Sequence, residues 1–389
     1  MDAPLKKIIV LLAALVVGFG LFTVGYTLGR SGFRLFGDES TGFSAIRDAY
    51  NRIRSNSIDP PTEDELSRAA IKGMVEAVRK KGDPYAAFYG PQGYRAFQEL
   101  TSGQFSGIGV RLETRHGRFE IQSVIPGTPA QRAGLRAGDV IVSVNGRKLS
   151  ELTQGEAVDS IKGPVDTKVR LSLRRGQEKI DVELTRTHIV IPSASGRLMD
   201  PEVGYVQLFG FANGAADDLR DKVDHLRAIG ADGIVLDLRN NPGGLFDEAV
   251  EIASMFIENG LIVTYKERDQ EGVKYEARGD AYDDLPLVVL VNGGSASASE
   301  VVAGALQARD RATLVGMTTY GKGAVQHVFP MLDASALKLT TAVYLTPDGR
   351  DISDRGLTPD VTVKGRRAQQ LRAAVLVHGL VLAAHGEQG

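Results

Sequence analysis

Ser297 and Lys322 are the two residues whose neighbours best suit them to chemistry. Ser297 lies in Asn292-Gly293-Gly294-Ser295-Ala296-Ser297-Ala298-Ser299-Glu300, directly after the apolar run 285–291. An apolar run rich in Val and Leu reads as a buried strand, and 300–309 reads as a helix. A serine on a strand-to-helix turn has its hydroxyl exposed at the sheet edge, with unpaired amides beside it. Downstream, Tyr320-Gly321-Lys322-Gly323-Ala324-Val325-Gln326 sets a lysine between two glycines, where other backbone can approach closely. Together they suggest a serine nucleophile served by a lysine base.

Other readings compete. Gly- and Ser-rich turns are usually loops, and a Gly-flanked Lys is usually a solvated loop residue. Gly316-Met317-Thr318-Thr319-Tyr320-Gly321-Lys322 also matches the start of a phosphate-binding loop, with Asp237 as a distant acidic partner for magnesium. Gly323, however, stands where that loop needs Ser or Thr. Six histidines are present, and His327 follows Gln326 directly. If 325–329 is a strand, His327 and Gln326 point to opposite faces, so only one of them can face Lys322. His327 then reads as a sheet or surface residue. No cysteine is present, so thiol nucleophiles, disulfides and thiolate metal sites are excluded. No His/Asp/Glu grouping has metal-ligand spacing, and neither metal nor cofactor is expected.

At these segments the chain resembles the C-terminal processing (tail-specific) peptidases of the carboxyl-terminal protease family. In that family the middle Ser of the Ser-Ala-Ser-Ala-Ser-Glu run is the nucleophile, here Ser297. The Lys of Gly-Lys-Gly is the general base, here Lys322. A Gln four residues on orients it, here Gln326. Asp237-Leu238-Arg239-Asn240-Asn241-Pro242-Gly243-Gly244 matches the oxyanion segment, which implies the amides of Gly243 and Ala298. The resemblance runs from about residue 40 to about 364. It includes Gly82-Asp83-Pro84-Tyr85 and Tyr344-Leu345-Thr346-Pro347-Asp348-Gly349-Arg350.

The chemistry agrees with the resemblance. Lys serves as a base only when neutral, which needs a site where desolvation disfavours the ammonium. Gln326 can accept a hydrogen bond from the amine without adding charge. Gly243 follows Pro242 in a tight turn, where an amide can point at an oxyanion.

The elements that must position these residues fall in blocks. Residues 1–30 contain an apolar stretch, 8–28, preceded by Lys6 and Lys7. As a helix it would span ~31 Å, about the hydrocarbon thickness of a bilayer. It reads as an uncleaved transmembrane anchor in contact with lipid, with the bulk of the chain on the periplasmic or extracellular side of a bacterial inner membrane. Residues 31–41 read as a linker. Residues 42–104 form an N-terminal helical region, with Thr62 and Glu65 as a capping box. These helices read first as core packing; the resemblance implies that such helices assemble subunits in some members, which makes a homodimer the alternative there.

Residues 105–187 read as a β-rich module in which short strands and Gly turns alternate. They resemble a PDZ domain. By that resemblance the backbone around Gly107, Ile108, Gly109 and Val110 captures a peptide's terminal carboxylate. The peptide then adds as a strand alongside 109–112, beside the helix 156–161. In residues 188–365 strands and helices alternate, as in an α/β core. Residues 366–389 read as a final helix and tail, with Leu371, Val375, Leu376 and Leu380 as its packing face.

The fold class expected is therefore α/β: a transmembrane helix, a helical segment, and a PDZ domain placed before an α/β serine-protease core. The 46 basic and 48 acidic residues give no electrostatic case for nucleic acid. The function expected is PDZ-guided cleavage of exported proteins near free, apolar C-termini. The alternative is a catalytically silent PDZ adaptor that binds tails without cutting.

Overall fold

The computed structural model describes residues 41–386 apart from 116 and 268–270. The expected anchor, 8–28, lies outside the described residues. No helix among the described residues is long and apolar enough to cross a membrane.

Two compact units divide the chain after Gly73. The first holds helix α1 (Thr41–Asn56) and the start of α2 (Glu63–Lys80). The capping box forms: Thr62 N donates to Glu65 Oε2 at 2.8 Å, and Glu65 N donates to Thr62 Oγ1 at 3.2 Å. Phe43, Ile46 and Ile53 leave an exposed apolar stripe on α1.

The second unit departs early from the all-helical expectation. After α2 the chain forms strand β1 (Ala87–Tyr89) before helix α3 (Pro91–Ser102). A three-residue strand shows no period in sequence. It exists because β18 (Ala336–Leu345), about 250 residues on, offers it a partner, with Ala87 opposite Lys338.

The PDZ-like module follows. Strand β2 (Gln104–Gly107) pairs with β9 (Thr187–Val190), joining the two ends of the module. Between them lie β3 (Val110–Arg115), β4 (Arg118–Val124), the short helix α4 (Pro129–Arg132), β5 (Val140–Val144), β6 (Arg147–Lys148), helix α5 (Gln154–Ile161), β7 (Lys168–Arg175) and β8 (Glu178–Thr185). The sheet runs β3-β4-β5-β7-β8, with β6 on β5, so β3 stands at an edge. Ile121, Ile141, Leu171 and Leu173 face α5 and form a separate core. Each such side chain contributes about 2 kcal/mol of burial.

The α/β core is a three-layer structure. Its sheet runs β10 (Ala194–Asp200), β11 (Val203–Leu208), β12 (Gly233–Asp237), β15 (Leu287–Val291), β16 (Thr313–Gly316), β19 (Val361–Thr362). All neighbours are parallel except the β10–β11 pair. Side chains alternate between two faces, as the pleat requires. Ile234, Leu236 and Val289 pack against helices α6 (Ala215–Ala228), α7 (Phe246–Ser254) and α8 (Ala298–Ala308). Val235, Val288 and Leu290 pack against the last helix, α9 (Arg366–Gly386). A second sheet, β1-β18-β13-β14 with β17 on β18, includes β13 (Leu261–Glu267), β14 (Val273–Glu276) and β17 (Ala324–Pro330).

The packing face expected for α9 is corrected in part. Leu376 packs against the sheet as expected, but Leu371 and Val375 are 58% and 63% exposed and Leu380 is also exposed; Ala373, Val377 and Val381 make the buried contact. Small side chains let the helix lie close to the sheet. At Gly233 a Cβ would come within 2.4 Å of Val377 Cγ1, so β12 is bare where the helix crosses it.

Candidate active site

Three neighbouring parallel strands supply the three motifs. β12 ends at Asp237 and feeds the Asn240–Gly244 turn; β15 ends at Val291 and feeds the Ser297 turn; β16 ends at Gly316 and feeds the Lys322 loop. In open α/β sheets the carboxyl ends of adjacent parallel strands form one crevice. Topology therefore gathers segments that lie up to 85 residues apart, from Asp237 to Lys322.

Side chains clamp the turns together. Asn292 Oδ1 accepts from Asn240 N and Gly294 N, each at 2.9 Å, and Asn292 Nδ2 donates to Asn240 Oδ1 at 3.0 Å. Ser295 Oγ donates to Leu238 O at 2.7 Å, and Ser299 Oγ to Asn241 O at 2.9 Å. The serines flanking Ser297 are thus fully buried struts. Ser297 is the residue at the N-terminus of α8 with φ 56° and ψ −116°, a conformation costing ~1–3 kcal/mol for a residue other than glycine. Strain of this kind is typical of a nucleophile turn.

Gly243 packs directly on this turn. It has φ +97°, and a Cβ there would lie 2.7 Å from Ala296 O, 2.9 Å from Ala298 N and 2.9 Å from Ser297 Cβ. Any side chain would displace the serine. The Gly243 amide donates to Asn241 Oδ1 at 3.0 Å. The Ala298 amide opens α8, where no intrahelical acceptor exists for it.

Glu300, which the sequence analysis leaves without a role, connects the motifs. Fully buried, its Oε2 accepts from Ser297 N and Lys322 N, each at 2.9 Å; its Oε1 accepts from Gly321 N at 2.7 Å and from the Thr319 hydroxyl. One carboxylate thereby ties the serine turn to the lysine loop. The available signal was Ser297-x-x-Glu300, the spacing of a capping box.

Lys322 is half-buried. Gly321 and Gly323 flank it for a visible reason: a Cβ would lie 2.9 Å from Gly356 N at the first and 2.4 Å from Ser353 Oγ at the second. The 353–356 turn can come this close only to bare backbone. Burial pushes the Lys322 ammonium below its usual range, the positive Lys338 adds to this, and Glu300 opposes it. Its Nζ lies 5.1 Å from the centre of the Tyr85 ring.

Gln326 Nε2 donates to Ala324 O at 3.0 Å, within its own strand. Among the described residues no hydrogen bond joins the side chains of Ser297, Lys322 and Gln326. His327 is exposed, and its ring lies against Phe329 with centres 4.6 Å apart and planes tilted by 50°.

The phosphate-loop alternative fails structurally. Strand β17, not a helix, follows Lys322, so no helix N-terminus is available to a phosphate. Asp237 is fully buried, with Arg239 and the Tyr205 hydroxyl bound to it.

Gly107, Ile108, Gly109 and Val110 line a second site, a groove of about 340 Å³. Leu112 of β3 and Val158 and Ile161 of α5 give it apolar walls, and Leu100 of α3 closes one side. Gly109 has φ +85°, and a Cβ there would lie 2.3 Å from Thr128 Cβ. The Lys162 ammonium at the rim pairs with Glu99. A larger depression of about 750 Å³ on the β7–β8 ribbon is bordered by the Lys168–Glu183 and Arg170–Glu183 ion pairs, and it lies away from both sites.

Known proteins resemble this chain. Residues 202–363 match peptidase family S41, and residues 120–175 match a PDZ domain. The carboxy-terminal-processing protease of Bartonella bacilliformis is 37% identical over 325 residues, covering 82% of this chain and 74% of that protein. The carboxy-terminal processing protease CtpA of Bacillus subtilis is 36% identical over 368 residues, covering 93% and 78%. A solved photosystem II D1 C-terminal processing protease is 30% identical, with a TM-score of 0.48, over 84% of this chain and 88% of that one. This chain belongs to the carboxy-terminal processing proteases, the serine-type peptidases of family S41 that carry a PDZ domain.

Proposed function

We propose that this protease cuts exported proteins near their C-termini with a Ser297–Lys322 dyad. The observation that carries the reading is the convergence of the serine turn, the Gly243 turn and the lysine loop at one sheet edge, with Lys322 pushed toward its neutral form by burial. Lys322 Nζ takes the proton from Ser297 Oγ as Oγ bonds to the scissile carbonyl carbon. The Gly243 and Ala298 amides receive the oxyanion. Lys322 then returns the proton to the leaving amine, and water repeats the sequence to release the acid. Reaching this arrangement requires the Gly243 amide to turn from Asn241 and Lys322 to leave the Tyr85 ring. Gln326 can then turn from Ala324 to accept from Lys322.

The PDZ groove selects the substrate's tail in this reading. Edge strand β3 offers backbone to an added strand, and the Gly107–Val110 backbone offers amides to a carboxylate. A protein with a free apolar C-terminus should be cut several-fold faster than the same chain ending in an amide. Appending Asp-Asp should slow it too, because two charges are costly to bury in an apolar groove. Equal initial rates for all three would show that the groove does not read the tail.

Residues 8–28 anchor the enzyme in the inner membrane, with the catalytic part in the periplasm. In a Gram-negative host the full chain should stay with membranes through a carbonate wash, and protease added to spheroplasts should degrade it. A shortened, soluble form would instead mean that the stretch is a cleaved signal.

A further inference from the structure

The mechanism above makes no use of Gly82-Asp83-Pro84-Tyr85 beyond asking Lys322 to leave the Tyr85 ring. This segment is pinned at the site. Asp83 Oδ2 accepts from Thr340 N at 2.8 Å, and Asp83 Oδ1 accepts from Thr340 Oγ1 at 2.8 Å and from Tyr85 N at 3.1 Å. Thr340 lies on β18 directly opposite Gln326, and two residues beyond Tyr85, Ala87 pairs opposite Lys338. So held, the half-buried Tyr85 ring stands with its centre 5.1 Å from Lys322 Nζ. Tyr89 meets Lys338 in the same way, with Nζ 5.6 Å from its ring centre. Among the described residues Lys322 makes no ion pair. The acids near it are engaged or exposed: Glu300 by its bonds to the serine turn and the lysine loop, Asp83 by Thr340, and Asp351 by Ser353 N at 2.8 Å. Asp354, Arg355 and Tyr320 are exposed.

We propose that Tyr85 is a positioning residue, whose ring holds the Lys322 ammonium in the resting site and releases the amine once its proton has passed to water. The proposal rests on the Ser297–Lys322 reading. An aromatic face attracts an ammonium through its quadrupole and has little hold on a neutral amine. A carboxylate in the same place would keep Lys322 protonated; the ring keeps the charged form weakly and lets the working form go. Burial and Lys338 push the ammonium toward losing its proton, while Glu300 opposes this; the ring acts on the side of Glu300. Burial raises the Tyr85 phenol, and Tyr320, Asp354, Glu300 and Asp83 add to that, so the ring itself stays neutral while Lys322 titrates.

Tyr85→Leu removes the aromatic face and keeps an apolar side chain. The ring favours the charged form, so without it Lys322 of the free enzyme should lose its proton at lower pH. The acid limb of kcat/KM reports the free enzyme and should move down by about half a unit to one and a half units. Below the wild-type limb, kcat/KM should therefore rise about threefold to thirtyfold, a gain that lost packing does not produce. The acid limb of kcat reports the substrate complex, in which the lysine has left the ring, and should stay in place. Tyr85→Phe keeps the face and should keep both limbs. Pentafluorophenylalanine at position 85 keeps a ring of nearly the same size and withdraws charge from its face, so it should move the kcat/KM limb down as leucine does. The fluorinated ring is decisive, because its cover of the amine is unchanged: a limb that stays or moves up there overturns the proposal, whatever the folding of Tyr85→Leu. A limb that moves down in Tyr85→Phe as far as in Tyr85→Leu overturns it too, by assigning the effect to the hydroxyl. Lys322→Arg, run alongside, separates the two failures: if it still cuts, the dyad reading is wrong; if it is dead while the fluorinated ring leaves the limb in place, only the role of Tyr85 is.

Discussion

Ser297→Ala is expected to abolish cleavage of an unstructured protein substrate while leaving the fold intact. Removing a nucleophile from a working constellation costs up to about 10⁶ in kcat. The methyl of Ala fits wherever the Ser side chain does, and both residues meet the same strain at φ 56°, so stability should change little. The neighbouring serines give the contrast. Ser295→Ala removes one of two donors to the buried Leu238 carbonyl, and Ser299→Ala one of two donors to the Asn241 carbonyl. Each should cost about 1 kcal/mol of stability and keep measurable activity. The check is the initial rate of each purified variant beside its melting temperature. Wild-type rates in Ser297→Ala would refute the mechanism. A wild-type chain that binds tails and never cuts them would favour the silent-adaptor alternative.

Lys322→Arg is expected to be inactive as well. A guanidinium stays protonated and cannot accept the Ser297 proton. For the intact enzyme the sign of the pH dependence follows from the same requirement. Only the neutral amine works, so activity should rise with pH as Lys322 deprotonates. Burial and Lys338 lower its pKa, so that rise should come below the pH at which an exposed lysine titrates. A rate profile of kcat/KM against pH reads the limb directly. His327→Ala is the control, since His327 is exposed beside Phe329, and it should retain activity. Retained activity in Lys322→Arg together with loss in His327→Ala would move the assignment to a Ser–His pair.

Features that depend on neighbours in sequence were legible without a structure. The strand-turn-helix around Ser297 announces itself through an apolar run, glycines and a helix-forming continuation. The Thr62–Glu65 capping box is a three-residue relation, and the opposition of Gln326 and His327 follows from pleat geometry even with a register shift at Val325/Gln326. The glycines beside Lys322 signalled close approach, although the sequence did not say that 353–356 would be what approaches. Strands too short for a period, such as β1 and β19, escaped notice because their existence depends on partners far along the chain.

By itself the sequence determined the kind of protein this is: a serine peptidase with a PDZ module, carrying Ser297, Lys322 and Gly243 in recognisable local settings. Only the tertiary structure decided what each of those residues touches. Glu300 bonds to a loop 21 residues downstream, and Gly243 packs against Ser297, which follows a different strand. It also chose the sheet-facing side of α9, where Ala373, Val377 and Val381 prevailed over larger side chains because Gly233 leaves room for close contact. The physical reason is common to all three. Parallel crossovers set strand ends side by side whatever their separation in sequence, and close packing then selects partners by shape, which no local pattern encodes.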